Sequence, residues 1–266
     1  MERFTHLGRS FSLGYVSHRW MAGLAAAAAI AAWAYPEGRS PASAMVQSAL
    51  TVFLVWALVR ELAPDHPMPA LWLAALAGGL SVFTGATSPA ALAGLMVASR
   101  IVVRTTGAAP LLTDIVAVGV FVGVFARTPM GWAAGLAVAA AIAVDTNLPV
   151  PAPGRHVWLA GAVAVAVTAT AVLANALDTG WRPPGWATIV LAVATLAATF
   201  LVPVEWPRTP DDQGKQLFVE RVRGARNLVA FALILATVAG GASAAETTWP
   251  AWLALLGASL TSLRSE

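Results

Sequence analysis

Apolar stretches parted by short polar or proline-bearing connections run through almost the whole chain, at 20–35, 43–60, 69–86, 89–104, 111–126, 130–146, 156–176, 185–203, 226–243 and 248–263. No other feature limits the fold so strongly. A helix needs roughly 17 to 25 apolar residues to cross the hydrocarbon of a bilayer, and inside it only helices and closed barrels satisfy their own backbone. The stretches therefore predict an all-α, polytopic transmembrane helical bundle. Ten helices are expected. Several stretches are at or just below the lower length limit and 111–126 carries a charge, so a re-entrant segment there brings the count to eight or nine. With 58% hydrophobic and 11% charged residues, against about 25% charged in soluble domains, the chain is solvated chiefly by lipid.

The basic residues test the alternation, because lysine and arginine collect on the cytoplasmic side of a bilayer. With the N-terminus inside, Arg3, Arg9, Arg19, Arg60, Arg100, Arg104, Arg155, Arg208, Lys215, Arg221, Arg223, Arg226 and Arg264 are cytoplasmic, and only Arg39, Arg127 and Arg182 fall outside. A missed or invented helix would scramble this positive-inside asymmetry. Tryptophans, among them Trp20, Trp33, Trp72, Trp132, Trp158, Trp186, Trp249 and Trp252, lie near the predicted helix ends, as interfacial belts require. The expectation is an N-in, C-in multi-pass protein of a prokaryotic inner (cytoplasmic) membrane.

Four regions follow from this reading. Residues 1–19, with Arg3, Arg9 and Arg19 and with Phe4, Leu7, Phe11 and Tyr15 at helix-like spacing, predict a cytoplasmic interfacial amphipathic segment. Ala32-Trp33-Ala34 imitates a signal cleavage site, but the long polytopic sequence behind it predicts an uncleaved anchor. Residues 20–204 form the bundle of helices 1 to 8, and 226–266 a C-terminal transmembrane hairpin. Between them 205–225 is a cytoplasmic basic loop or short helix, with Thr209, Pro210, Asp211 and Asp212 reading as a helix start.

Ser40-Pro41, Ser88-Pro89, Thr128-Pro129, Arg182-Pro183 and Trp249-Pro250 each precede an inward-running segment. Proline fits the first helical position, and a preceding Ser or Thr caps it, so the pattern predicts serial helical hairpins. Segment 128–150 aligns with 182–204 through shared Pro, Gly-Trp-Ala and Pro-Val, an internal similarity that an Ala-rich sequence also produces by chance. Gly78-Gly79 and Gly240-Gly241 mark flexible or closely packed points.

Polar residues converge on the cytoplasmic connections. Arg100 and Arg104 stand four apart, on one face if both are helical, and offer a bidentate clamp for phosphate or carboxylate; the alternative is snorkelling to headgroups. Asp114 is placed to relay protons or bind a cation, or to pair with either arginine and stabilise the N-terminus of its own helix, and Asp145 with Asn147 to coordinate a cation, bond a polar substrate or simply end a helix. Asp65 and His66 form a general acid/base pair or a solvated turn.

Chemistry of other kinds finds little support. The chain has no cysteine, its four histidines show no ligand spacing, and Walker, dinucleotide, HExxH and GxSxG motifs are absent, so no metal and no cofactor are expected. The Asp-rich motifs of intramembrane prenyltransferases are missing too. The expected partners are membrane lipids and a small-molecule or lipid-phosphate ligand, without nucleic acid; a homo-oligomer is compatible. The leading functional expectation is a small transporter or permease whose cytoplasm-facing polar site takes an anionic or zwitterionic solute. The alternatives are a membrane-embedded enzyme acting on a lipid or isoprenoid phosphate at the inner leaflet, and a non-catalytic membrane subunit or assembly factor.

Overall fold

The computed structural model describes residues 5–8, 12–85, 87–177 and 180–261. Within them the protein is all-helical: α1 (Val16–Ala34), α2 (Pro41–Leu62), α3 (Pro67–Thr84), α4 (Pro89–Val103), α5 (Leu112–Phe125), α6 (Pro129–Val144), α7 (His156–Leu173), α8 (Trp186–Leu201) and α9 (Val219–Leu260). No strand occurs among the described residues, and the one β-type pairing is an isolated bridge between Pro210 and Gln216. Four helices, α2, α3, α7 and α9, are long and apolar enough to cross a membrane, while α4, α5, α6 and α8 are shorter apolar helices.

Local chemistry explains several of the starts. α2, α3, α4 and α6 begin with proline at the first position, where its missing N–H leaves nothing unpaired. Ser40 and Thr128 cap α2 and α6 by accepting from the backbone N–H of Ser43 and Gly131. The prolines at 183 and 250 act otherwise: α8 begins only at Trp186, and Pro250 lies inside α9.

α9 is two arms rather than one rod. Gly241 has φ 56° and ψ −137° inside it, a conformation open to glycine and hostile to residues with a Cβ. The first arm bonds to the end of α2, where Arg226 Nε donates to the Leu62 carbonyl; the end of the second arm, Gly257 to Thr261, borders the same cavity as His66. A straight helix would hold Arg226 and Gly257 about 46 Å apart, yet Leu62 and His66 are at most about 14 Å apart along the chain. The chain therefore reverses at Gly241. This corrects the expectation of a turn at 244–247 ahead of Trp249-Pro250: residues 246–248 are helical, and the Gly240-Gly241 pair makes the bend. Ala242 N donates to the Arg182 carbonyl and Trp181 Nε1 to that of Val238, pairing backbone groups that the break releases.

α2, α4, α6 and α9 pack on one another to form the centre, with α1 and α3 against α2, α5 and α7 against α6, and α8 against α9. Small residues permit the close approach: a side chain at Gly135 or Gly257 would collide with Val167 or Leu73. The outside is a belt of exposed large apolar side chains, with Trp158 at 83% and Leu173 at 84% exposure. In α8 the buried residues are Thr195, Ala198 and Thr199 while Ile189, Val193, Phe200 and Leu201 face out. That inverted pattern is compatible with a multi-pass membrane protein and would be costly in water.

Other expectations are revised. No helix forms in 5–8 or 12–15, where the described part of the N-terminal segment runs through bends and a turn before Val16; Arg3, Phe4, Arg9, Phe11 and Arg264 lie outside the described residues. Thr209 to Asp212 start no helix: Asp211 Oδ1 accepts from the backbone N–H of Gln213 and Lys215, closing a turn, and the helix begins at Val219. Trp252 belongs to no belt, being 1% exposed in the core. The similar segments 128–150 and 182–204 occupy unlike places, since α6 is central and α8 peripheral.

Candidate functional site

Most of the charged residues gather at one end of the bundle, where α2, α4 and α6 finish and where α3, α5, α7 and α9 start. Two buried ion clusters organise this polar face. In the first, Asp145, fully buried at the end of α6, accepts from Arg104 through both oxygens, Nε to Oδ1 at 2.9 Å and Nη2 to Oδ2 at 2.8 Å. Arg221 Nη1 adds a third bond to Oδ1 at 2.7 Å. The remaining donors of Arg221 reach the carbonyls of Val102, Pro149 and Val150, and Arg104 Nη1 reaches Val150 as well. One carboxylate and two guanidiniums thereby tie together α4, α6, the 145–155 connection and the first turn of α9.

The second cluster centres on Glu61, 1% exposed at the end of α2. Its Oε1 accepts from Arg100 at 2.8 Å (Nε) and 2.6 Å (Nη2), and its Oε2 from the Thr105 hydroxyl at 2.6 Å. Arg100 Nη1 also donates to the Leu7 carbonyl at 2.9 Å. Arg100 and Arg104 thus do not share a helix face. α4 ends at Val103, Arg104 takes a left-handed backbone (φ 59°, ψ 44°), and the two side chains turn to different carboxylates on different helices.

Asp114 pairs with neither arginine. Its Oδ2 accepts from the backbone N–H of Leu111 and of His6, both at 2.9 Å, so it caps α5 and pins the N-terminal segment across the polar face. His6 Nδ1 adds a bond with the Ala109 carbonyl at 2.7 Å. Asp65 holds the 202–218 connection, accepting from the backbone N–H of Arg208 (2.8 Å) and Thr209 (2.7 Å). Partial burial works to raise its carboxyl, but the hydrogen bonds from Thr209 and the two amides, with His66 alongside, outweigh it and hold the group below the usual carboxylate range. His66 sits before α3 without a side-chain cap bond. Asn147 is exposed and bonds only locally, to Thr146 and Ala143. Of the sequence-derived candidates, the structure brings Arg104 and Asp145 into contact, places Arg100 against Glu61, and leaves Asn147, Asp65, His66 and Asp114 apart from them.

Open space lies beside the second cluster. A cavity of about 320 Å³ between α1, α2 and α4 is bordered by Tyr15, His18, Phe53, Trp56, Arg60 and Arg100, with Glu61 and Asp212 also on its wall. The aromatic side is continuous: His18 stands edge-on to Trp56 at 5.2 Å and 5.3 Å from Tyr15, Phe53 is 6.1 Å from Trp56, and the Arg60 guanidinium lies 5.8 Å over the Trp56 ring. The Trp56 indole N–H is buried without a hydrogen-bond partner, an arrangement that costs free energy until an acceptor arrives. Two guanidiniums, the carboxylates of Glu61 and Asp212 and an aromatic wall in a concave site suit a small polar ligand that carries negative charge, alone or as a zwitterion.

Sequence reasoning missed Arg221, Glu61 as the partner of Arg100, and the aromatic wall. Arg221 falls in the expected cytoplasmic basic loop or short helix, yet it and Arg226 are buried, on the helix face that includes Val222, Ala225 and Val229. The 3.6-residue rhythm of those apolar neighbours was the available signal. Compared with known protein families, curated proteins and solved structures, the chain finds no match, so the functional reading rests on this geometry.

Proposed function

We propose that this protein is a small integral membrane transporter that receives an anionic or zwitterionic small solute at its polar face, with that face toward the cytoplasm. The cavity between α1, α2 and α4 carries the reading. Arg60 offers charge-assisted hydrogen bonds and Arg100 stands beside it on the wall, while Tyr15, His18, Phe53 and Trp56 give an aromatic wall. Arg104 and Asp145, by contrast, spend their bonds on one another, on Arg221 and on backbone carbonyls. The solute-contacting role therefore moves from Arg104 and Asp145 to Arg60 and the aromatic residues, with Arg100, whose donors are taken by Glu61 and the Leu7 carbonyl, on the cavity wall. The apolar walls Phe53, Ala57 and Met96 also suit a headgroup with an attached chain, which keeps an enzyme acting on a lipid phosphate as the second reading.

The test is uptake into proteoliposomes of labelled small carboxylates, phosphates and amino acids, with wild-type protein and with Arg60→Gln. The transporter reading expects saturable uptake of one class, weakened about tenfold or more by the substitution, as for loss of a charge-assisted bond of about 1.5 kcal/mol or more. No uptake, together with Mg²⁺-dependent turnover of an added isoprenoid phosphate, would replace it with the enzyme.

A further inference from the structure

A second open site lies away from the polar face, between α5 and α7. Gly119 and Gly123 on α5, with Leu159, Val163 and Ala166 on α7, border a groove of about 480 Å³ that ends at Arg127. Both helices begin at the polar face and run parallel, so from Ile115 to Arg127 the groove extends about 18 Å. Its rims are apolar and turned outward: Val116, Val120 and Val124 are all exposed. Gly119 touches α7, where an added Cβ would stand 3.0 Å from Val163, whereas a Cβ at Gly123 would meet nothing within 4 Å. Arg127 is exposed at the end opposite the polar face, without a hydrogen bond or ion pair among the described residues, and no carboxylate borders the groove.

We propose that this groove is a phospholipid site, in which one acyl chain lies along Gly119 and Gly123 and the phosphate is held by Arg127. The charge favours a lipid over a second copy of the chain. Gly119 and Gly123 are spaced as in helix pairs that dimerise through glycine, but a two-fold contact about an axis along the bundle would bring two Arg127 side chains to the same end of the interface with no carboxylate between them. A phosphate supplies the missing counter-charge, and an acyl chain fills the space that Gly123 leaves.

Native mass spectrometry of the full-length protein in detergent tests this, with added dioleoyl phosphatidylglycerol as one probe and dioleoylglycerol, which has the same chains and no phosphate, as the other. Wild-type protein is expected to retain phosphatidylglycerol. Arg127→Gln should weaken that retention about fivefold, the worth of one basic residue at a lipid surface, and leave dioleoylglycerol unaffected. Gly123→Leu, which fills open space, should displace both lipids. Equal phosphatidylglycerol retention by wild type and Arg127→Gln, or none by wild type, overturns the proposal; so does a dimer that Gly123→Leu converts to monomer with lipid retention unchanged. Arg127 is exposed, so its variant decides the matter even if Gly123→Leu does not fold.

Discussion

Asp145 is the residue on which the polar face depends most. Its two oxygens accept three charge-assisted bonds from two buried guanidiniums, and burying such ion pairs is tolerated only with every partner in place. Asp145→Asn keeps the shape and removes the charge, leaving Arg104 and Arg221 facing each other. The expected cost is about 3–5 kcal/mol, seen as a large fall in Tm in detergent. Asn147→Ala, two residues away and exposed, should stay within about 0.5 kcal/mol. Equal Tm for Asp145→Asn and wild type would contradict the account. The sequence made Asp145, Arg104 and Arg100 visible as unusual charges next to apolar helices. It did not reveal their pairings, because partners 39 to 76 residues apart along the chain are chosen by packing rather than by spacing. The left-handed backbone at Arg104, which turns its side chain from Arg100 toward α6, has no sequence signature of the kind a glycine gives.

Most helices were legible in outline, since apolar length and a proline start are local properties. α2, α3, α4, α5 and α6 begin and end within about two residues of the apolar stretches that predict them. The final reversal was misplaced because the polar run Glu246-Thr247-Thr248 resembles a turn, yet within the helix Thr247 and Thr248 bond to carbonyls of their own helix. Gly241 makes the bend instead. An alanine there would adopt a left-handed conformation and drive its Cβ into the Arg182 carbonyl. Gly241→Ala should therefore destabilise the protein by about 2 kcal/mol or more and loosen the contact of Trp181 with the Val238 carbonyl, a change that tryptophan fluorescence reports. Unchanged Tm and emission would mean that the chain turns elsewhere.

On the scale of the molecule, charge and apolar surface are separated along the bundle axis. One end carries Glu61, Asp65, Arg100, Arg104, Asp145 and Arg221 with the connections they bind; the flanks are an apolar belt; the far end has Glu37, Arg39, Arg127 and Arg182. The N-terminal segment, held by Asp114 and Arg100, and the 202–218 connection, held by Asp65 and by the bond from Asp212 N to the Thr105 carbonyl, lie together on the polar end beside the proposed solute cavity. Such segregation is compatible with a chain that crosses a bilayer repeatedly. The absence of cysteine from the sequence allows a direct measurement, in which single cysteines are read without background. Cysteines replacing Asn147, Gly154 and Gln213 on the polar end, and Glu37, Arg127 and Arg182 on the far end, are exposed to an impermeant maleimide added outside intact cells. The account predicts that only the far-end set is labelled until the membrane is opened, whereupon the polar-end set reacts as well. Labelling of Gln213 and Arg182 from the same side of an intact membrane would contradict it.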